Sequence, residues 1–138
     1  MAYQIFRHLV GVRLPLYSLP PKKTLIIVMN VEEIRDYVLA MPDVEECFPF
    51  GEETAVYKTA GRMFLLMGLT NIPLQINVKC EPDVALELRG EYPDHVLPGY
   101  HMNKAHWNTL ICEGRLTRSF ISQQIVRSHG LVGKKKKK

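Results

Sequence analysis

The fold is decided in residues 54–80, which read TAVYKTAGRMFLLMGLTNIPLQINVKC. Thr54–Thr59 and the more apolar Arg62–Leu69 are predicted to be strands, because Ala60-Gly61 between them is typical of a hairpin turn. A second turn at residues 70–73 leads to a third strand, in which every other residue is apolar: Leu74, Ile76, Val78 and Cys80. This period of two predicts a sheet with one buried face and one wet face.

Helix signals lie on both sides of these strands. Upstream, Asn30 followed three residues later by Glu33 is typical of an N-cap with a capping box, and Pro42 ends the predicted helix. The apolar face of this helix consists of Ile34, Val38 and Met41. Downstream, Pro82 occupies the first position of a second, short helix that Gly90 closes.

The remaining sequence supplies a loop, two more strands and a last helix. The loop is polar and runs through Pro49-Phe50-Gly51, and the strands are predicted at His95–Met102 and Lys104–Cys112. Thr117–Ser128 is predicted to be a helix whose inward side chains are Phe120, Ile121, Ile125 and Val126. The order α-β-β-β-α-β-β-α, with hairpin-length connections, predicts a two-layer α+β fold: an antiparallel five-stranded sheet with helices on one face.

Length and composition indicate one globular domain. The chain has 138 residues, of which 46% are hydrophobic and 23% are charged, and this balance excludes an intrinsically disordered chain. No apolar run in the sequence reaches the roughly 18 residues of a membrane span, so we expect no membrane partner. We expect the domain to cover residues 30–133.

The two ends of the chain stand apart from this domain. Residues 1–29 permit three interpretations: a disordered basic arm, an extra strand ending at Leu25–Val28, or sequence placed before a true start at Met29. The last two are preferred to the first. Lys134–Lys138 is a like-charge run that we expect to be solvated and disordered.

The positive charge of the chain lies at its ends. The formal net charge is +4, but residues 1–29 contain four basic residues and no acid, and residues 134–138 are five lysines. Residues 30–133 hold nine Lys and Arg against fourteen Asp and Glu. Because non-specific affinity for nucleic acid comes from neutralising phosphates, the acidic domain needs a local basic patch to bind DNA.

Three cysteines, Cys47, Cys80 and Cys112, are widely separated and odd in number. They lack the close pairs of a zinc motif, and one of them must stay unpaired in any disulfide scheme. We therefore expect small, buried, hydrophobic side chains in a reducing, cytoplasmic setting.

Polar and aromatic side chains are concentrated in Tyr100–Asn108, which contains His101, Asn103, Lys104, His106, Trp107 and Asn108. If Trp107 faces the helices, alternation along the strand directs His106 and Asn108 to the open sheet face. There, with Lys104, they could contact phosphates or bases beside three residues of a neighbouring strand: Gln75, Asn77 and Lys79. In the alternative interpretation, Trp107 is a core residue and the polar side chains lock a tight turn through bonds to the backbone.

The same segment offers little for catalysis. His101 and His106 are five residues apart and cannot share a strand face, and no carboxylate lies between them for a metal site. Cys112 with His106 could form a nucleophile pair, but nothing in the sequence indicates an activated thiol. The acids around Pro49-Phe50-Gly51 are typical of a solvated surface: Glu45, Glu46, Glu52 and Glu53. We therefore expect no enzyme, no catalytic residue, no metal and no cofactor.

Four segments carry a resemblance to the MmcQ/YjbR family. They are Pro49-Phe50-Gly51, Gly61–Phe64, Val78–Cys80 before Pro82, and above all PGYHMNKAHWNT at residues 98–109. Ser128 with Leu131-Val132 fits the closing segment of the family, so the resemblance covers residues 29–133. The chain departs from the family pattern at two positions, with an arginine where lysine is usual and a histidine where an aromatic such as tyrosine is common: Arg62 and His129.

The resemblance implies a compact two-layer fold similar to that of secretion chaperones, and DNA binding through a double-wing arrangement of strands and turns. The DNA-binding residues are then predicted to be Lys58, Arg62, Lys79, His101, Asn103, Lys104, His106 and Asn108. The structural core of this region is predicted to include Trp107, Tyr100 and Phe64. We expect a monomeric, cytoplasmic, non-enzymatic binding module whose partner is DNA. The alternative is a chaperone-like module that binds another protein through the open sheet face or an edge strand.

Overall fold

Three helices and six strands form the part of the chain that the structure, a computed structural model, describes: residues 29–135. In chain order they are α1 (Val31–Leu39), β1 (Val44–Cys47), β2 (Thr54–Thr59), β3 (Arg62–Gly68), β4 (Gln75–Lys79), α2 (Pro82–Glu91), β5 (Val96–Pro98), β6 (Trp107–Ile111) and α3 (Arg118–Lys135). The predictions for the leader and for the last three lysines lie outside the described residues. None of the helices in this part of the chain has both the length and the hydropathy that a membrane span needs.

The strands form one antiparallel sheet in the order β1-β2-β3-β4-β6-β5. The predicted α+β class, with an antiparallel sheet and three helices, is confirmed. The predicted number of strands is wrong, because the sheet has six strands and not five. The additional strand, β1, lies in the segment that we predicted as a polar loop. Its Glu46 side chain is held by Arg35 and Tyr57, a tertiary contact that the polar pattern of this short edge strand does not reveal.

The hairpin between β2 and β3 turns at Ala60-Gly61, as predicted. Both residues have positive φ angles, 57° at Ala60 and 77° at Gly61, which suits a two-residue turn that follows the twist of the strands. The Ala60 amide also donates a hydrogen bond of 3.1 Å to Asp43 Oδ2. This bond ties the turn to the start of β1.

The helices cover one face of the sheet. The main core lies between them and the sheet, and its strand side includes Tyr57, Leu65, Ile76, Val78 and Leu110. Ile34 and Val38 of α1, with Ile121 and Ile125 of α3, fill it from the helix side. The opposite side of the sheet, which we call the open face, carries a smaller apolar cluster of Val56, Leu66 and Trp107.

The predicted capping box begins α1. The Glu33 amide donates to Asn30 Oδ1 over 2.8 Å, and the Asn30 amide donates to Glu33 Oε1 over 3.1 Å. Both oxygens of Glu33 also accept hydrogen bonds from the Arg118 guanidinium, at 3.0 and 2.9 Å. The cap therefore joins α1 to the first turn of α3.

The last helix is longer than predicted. It runs to Lys135 and not to Ser128, and so includes the first two lysines of the run that we expected to be disordered. Ile121 and Ile125 are fully buried as predicted, whereas Val126 is 48% exposed and its predicted inward position is wrong. The helical period places Ser128 and Val132 on the inner face instead.

The last two strands are shorter than predicted. β5 and β6 occupy only parts of His95–Met102 and Lys104–Cys112, and residues 99–106 between them form a loop. His101 has a φ of 60°, which interrupts extended backbone. Asn103 Oδ1 accepts a hydrogen bond of 2.9 Å from the Ala105 amide, a local turn contact that competes with strand pairing.

All three cysteines are free thiols. Cys80 and Cys112 are buried, and Cys47 is half-buried. Burial raises the pKa of the Cys112 thiol to about 12 and also raises the pKa of the Cys80 thiol. Neither buried thiol has the lowered pKa of an activated nucleophile.

Candidate functional site

One row of side chains crosses the open face on all six strands. The strand register places these residues side by side: Cys47, Val56, Leu66, Asn77, Thr109 and Leu97. The row is apolar on β1, β2 and β3 and polar on the next two strands, where Thr109 Oγ1 donates a hydrogen bond to Asn77 Oδ1. The open face is therefore partly apolar and not uniformly wet.

Trp107 lies on the open face, where it packs with Val56 and Leu66. We predicted His106 and Asn108 on the open face on the condition that Trp107 faces the helices. That condition is not met. Trp107 is nevertheless only 6% exposed, because partly buried methionines pack against the same cluster: Met63 and Met102.

Two of the predicted core residues differ sharply in exposure. Phe64 is fully buried in the main core, where its ring meets the His129 ring edge-on at 5.1 Å. Tyr100 is 68% exposed, so its predicted place in the core is wrong. Its ring lies instead against His101, with 4.0 Å between the ring centroids. Both residues lie in the loop that follows β5, which ends at Pro98.

Asn108 points toward the helices and is 1% exposed. Its Oδ1 accepts a hydrogen bond of 2.8 Å from Arg89 Nε of α2. Arg89 Nη2 also donates to the Trp107 carbonyl at 3.2 Å and to the Lys104 carbonyl. Asn108 therefore cannot contact DNA as predicted, because it is sealed between the sheet and α2.

Close packing against Trp107 fixes the start of the Gly99–His106 loop. The Gly99 amide donates a hydrogen bond of 2.9 Å to the Trp107 carbonyl, and a Cβ added at Gly99 would lie 2.6 Å from the Trp107 Cβ. Only glycine fits this approach. The next amide, that of Tyr100, donates 3.0 Å to Thr109 Oγ1.

The other predicted residues of this loop are spread along it. Lys104 Nζ donates a hydrogen bond of 3.2 Å to the Gly99 carbonyl, and the Asn103 side chain stabilises the local turn by accepting the Ala105 amide. The His106 side chain is exposed, while its carbonyl accepts a hydrogen bond of 2.8 Å from the Cys80 amide. The structure thus places Lys104 and His106 at the surface but uses Asn103 mainly to shape the backbone.

A cavity of about 460 Å³ opens on the open face, over the start of β2, the end of β3 and the start of β4. Its lining combines a floor on β2, β3 and β4 with residues of three surrounding loops: Phe50, Thr54, Leu66, Gly68, Asn71, Gln75, Asn77, Tyr100, His101 and Met102. None of these residues is acidic, and none is a lysine or an arginine. Of the predicted DNA-binding residues, only His101 lines this cavity.

The predicted cations lie at one end of the sheet. We call it the hairpin end, since it contains the Ala60-Gly61 turn, the ends of β2 and β4 and the start of β6. Lys58 pairs with Met63 and Lys79 pairs with Trp107, which places both lysines on the open face. The other two predicted cations lie at the same end: Lys104 in the loop before β6, and Arg62 as the first residue of β3. Arg62 precedes Met63, which packs on the open face, so strand alternation directs Arg62 to the opposite face.

The acidic residues around the sheet are divided between its two ends. Three lie beyond the end opposite the hairpin, because they precede β2 or follow β6: Glu52, Glu53 and Glu113. At least four share the hairpin end: Glu45 faces Lys58 in the register, Asp43 accepts the Ala60 amide, and Glu81 and Asp83 follow the end of β4. The hairpin end therefore holds the four predicted cations together with acids that offset part of their charge. One of these acids, Glu81, is paired with Arg127.

The candidate catalytic residues are not brought together. His106 precedes β6 and Cys112 follows it, so the two lie at opposite ends of that strand. His101 lines the cavity, whereas His106 lies at the hairpin end. Within residues 29–135, no three His, Cys, Asp or Glu side chains are grouped closely enough to hold a metal ion.

Sequence reasoning missed two contributors to this site. Phe50 lines the cavity and is 63% exposed, and its place next to Pro49 and Gly51 in a loop was the only available signal. Arg89 organises the start of β6 from a helix that precedes it by many residues. A lone arginine near a helix end carries no pattern that predicts such a role.

Comparison with other proteins identifies the family. A sequence model of the YjbR family matches residues 39–131. The chain is 36% identical over 102 residues to the uncharacterised protein YbdF of Escherichia coli O157:H7, which covers 73% of this chain and 82% of YbdF. It is 29% identical over 93 residues to the uncharacterised protein YjbR of Escherichia coli K12, covering 67% of this chain and 78% of YjbR.

Two crystal structures share the fold. The DR2400 protein of Deinococcus radiodurans matches with a TM-score of 0.74 and 34% identity, over 77% of this chain and 80% of that chain. A protein from Pseudomonas syringae matches with a TM-score of 0.62 and 25% identity, over 75% of this chain and 99% of that chain. Because the family match covers most of the chain and the relatives agree in sequence and in fold, the chain belongs to the YjbR family.

Proposed function

We propose that this chain is a non-enzymatic binding protein whose partner is DNA, contacted at the hairpin end of the open face. One observation carries the proposal: Lys58, Lys79 and Lys104 collect at this end. Three acids, Glu52, Glu53 and Glu113, lie beyond the opposite end of the sheet. A local basic patch is what an acidic domain needs in order to hold phosphates.

The spacing of the two strand lysines suits separate phosphate contacts. Lys58 on β2 and Lys79 on β4 are separated by one intervening strand, which amounts to about 10 Å across the sheet. Lys79 Nζ lies 5.5 Å from the centroid of the Trp107 ring, so its position is supported by the apolar cluster beneath it. Glu45 opposite Lys58 limits the local positive potential, so we expect weak binding that depends strongly on salt.

Three of the fourteen acids of the domain are paired with arginines on the helix side of the sheet. Arg35 pairs with Glu46, Arg118 with Glu33, and Arg127 with Glu81. These three pairs contribute no net charge. Without these pairs, six basic and eleven acidic side chains remain in residues 30–133, so the excess of five acids is unchanged. The proposal therefore depends on the position of the remaining cations and not on the average charge.

The test measures binding of a fluorescent DNA duplex by anisotropy over a range of salt concentrations. The protein is the full chain with Lys134–Lys138 replaced by serine, so that the lysine run cannot supply the signal. We expect binding at low salt, and we expect Lys58→Gln and Lys104→Ala each to reduce the log–log salt slope by about 0.9, as the loss of one phosphate contact does. The matched control is Arg115→Gln, which removes one exposed cation near the opposite end of the sheet.

Two results would refute DNA binding at this end. One is the loss of all binding when only the lysine run is replaced. The other is an equal effect of Arg115→Gln and Lys58→Gln, because that would indicate a response to net charge and not to position.

A second candidate function, protein binding, is favoured by the edge strand β1. Among residues 29–135 its backbone pairs only with β2, and two exposed aromatic residues follow it: Phe48, 46% exposed, and Phe50, 63% exposed. An extended peptide could add to such an edge and use the aromatic side chains as anchors. Binding of this kind should respond only slightly to salt, which separates it from DNA binding in the same titration.

A further inference from the structure

We infer that the cavity on the open face receives one unpaired base of a DNA strand whose phosphates lie at the hairpin end. This inference rests on the proposed function and adds to it the form of the ligand, which is single-stranded DNA. The cavity volume of about 460 Å³ lies within the usual range for small-molecule sites.

The lining of the cavity fits an uncharged, planar group. The part of the chain that the structure describes lines the cavity with apolar, aromatic, imidazole, amide and hydroxyl side chains, and contributes no acid, lysine or arginine. A carboxylate or an ammonium group would find no opposite charge there and would lose its hydration. A base is neutral and carries donors and acceptors along its edge, so this lining matches it better than a charged peptide side chain.

Aromatic side chains form the rim. Tyr100 is 68% exposed and Phe50 is 63% exposed, although both are large apolar groups. The His101 ring lies 4.0 Å from the Tyr100 ring, centroid to centroid, which extends this aromatic surface. Exposed aromatic rings around a concave site are the usual stacking surfaces for unpaired bases.

Amide groups form the polar part of the floor. Gln75 and Asn77 are two residues apart on β4 and both face the cavity. Thr109 Oγ1 donates to Asn77 Oδ1, which fixes the orientation of that amide, and it accepts the Tyr100 amide at 3.0 Å. This chain of hydrogen bonds connects floor and rim, so the stacking surface and the edge-reading groups are held in one arrangement before a ligand arrives.

The cavity is continuous with the cationic end. Lys79 lies two residues beyond Asn77 on the same face of β4, about 7 Å away along the strand. A base bound over Asn77 would therefore bring the sugar-phosphate backbone of its DNA strand close to Lys79. In a duplex the bases are stacked and paired inside the helix, so only an unpaired base can enter a cavity of this kind without added cost.

The experiment compares three fluorescent probes with equal strand length, using the full chain with Lys134–Lys138 replaced by serine. The probes are a thymidine dodecamer, the same strand with every base removed, and a duplex of that length. We expect the dodecamer to bind about tenfold more tightly than the abasic strand, as stacking of one base on an aromatic side chain would provide. Tyr100→Ala should lower dodecamer affinity to that of the abasic strand and leave abasic binding unchanged.

The matched control is Phe48→Ala, which removes an exposed aromatic ring outside the cavity lining. It should leave the ratio of dodecamer to abasic affinity unchanged. Tyr100 is exposed, so its truncation should preserve the fold, and the far-ultraviolet circular dichroism of both variants checks this.

The possible failures are distinguishable. Equal, salt-dependent binding of the dodecamer and the abasic strand would overturn the base site but leave the proposed phosphate contacts intact. Tighter binding of the duplex than of the dodecamer would do the same. Failure of every probe to bind at low salt would overturn both proposals. If thymidine monophosphate bound as tightly as the dodecamer, the cavity would be a site for single nucleotides and the strand-binding inference would be wrong.

Discussion

Arg89 Nε donates a hydrogen bond of 2.8 Å to the Oδ1 atom of Asn108, a side chain that is only 1% exposed. The same guanidinium reaches the carbonyls of Lys104 and Trp107. One residue of α2 thus anchors both the loop and the strand that carry the PGYHMNKAHWNT segment. The helix layer thereby determines the position of residues on the open face, on the other side of the sheet.

We predict that Arg89→Lys destabilises the protein almost as much as Arg89→Ala. Lysine keeps the charge but lacks the planar fork that serves three acceptors at once. Leaving the buried Asn108 oxygen without its donor should lower the free energy of unfolding by about 1–3 kcal/mol, measured by urea denaturation. Arg115→Lys is the control, and a lysine variant at position 89 as stable as the natural protein would contradict this role.

Asn108→Ala should reduce stability without changing DNA affinity. The side chain is enclosed under α2 and has no access to a ligand on the open face. We expect a loss of about 1–3 kcal/mol in the free energy of unfolding. In anisotropy titrations the folded variant should bind DNA with the same affinity as the natural protein. A weaker affinity would show that Asn108 contacts the ligand.

Gly99→Ala should destabilise the protein strongly, although it adds only one methyl group. The added methyl would lie 2.6 Å from the Trp107 Cβ and 3.0 Å from the Trp107 carbonyl oxygen, so the loop or the strand must shift. Overpacking of this kind typically costs about 1–3 kcal/mol. Trp107 is the single tryptophan, so its fluorescence reports the displacement directly.

Gly90→Ala is the matched control for Gly99→Ala. A Cβ at this position in α2 meets no atom within 4 Å. Alanine in a helix should then raise stability by up to about 1 kcal/mol. If both alanine variants lost stability equally, the close approach at Trp107 would not be the cause.

The Glu46 carboxylate should make stability depend on pH in the acidic range. Arg35 donates to its two oxygens at 2.8 and 2.9 Å and Tyr57 Oη donates at 2.8 Å, which holds the pKa of Glu46 below its ordinary value of 4.5. Because the folded state resists protonation, the stabilisation is complete above the ordinary pKa and disappears as pH falls through the lowered one.

Urea denaturation of Glu46→Gln tests this dependence. The stability difference from the natural protein should be constant near neutral pH and should shrink below about pH 4.5. Glu45→Gln, on the same strand but facing the other side of the sheet, is the control and should show no comparable change. A difference for Glu46→Gln that stayed constant down to acidic pH would exclude the carboxylate as its source.

The three cysteines should react with a thiol reagent at very different rates. Cys47 is half-buried at the sheet edge, whereas Cys80 and Cys112 are buried and their pKa values are raised by burial. We expect one thiol to be labelled rapidly at mildly alkaline pH and two only on unfolding. Cys47→Ser should abolish the rapid phase, and rapid labelling that persists in this variant would contradict the burial of the other two.

Much of the fold could be predicted because its signals are local. The capping box at Asn30 and Glu33, the turn at Ala60-Gly61 and the alternation along β4 each arise from a few neighbouring residues. The strand β1 could not be predicted, since its Glu46 is stabilised by partners on α1 and β2. Residues 99–102 and 104–106 were predicted as parts of two strands, but the positive φ of His101 and the turn contact of Asn103 place them in a loop.

The sequence by itself determined the α+β class, the start of α1 at its capping box, the hairpin turn at Ala60-Gly61, and the segment in which polar and aromatic chemistry is concentrated. Only the tertiary structure decided which side of the sheet each of those side chains faces. Alternation along a strand tells which side chains share a face, but not whether that face meets the helices or the solvent. A shift of the strand by one residue would move every side chain to the opposite face. Packing of Trp107 against Val56 and Leu66, with Asn108 bound to Arg89 on the reverse side, removed that ambiguity.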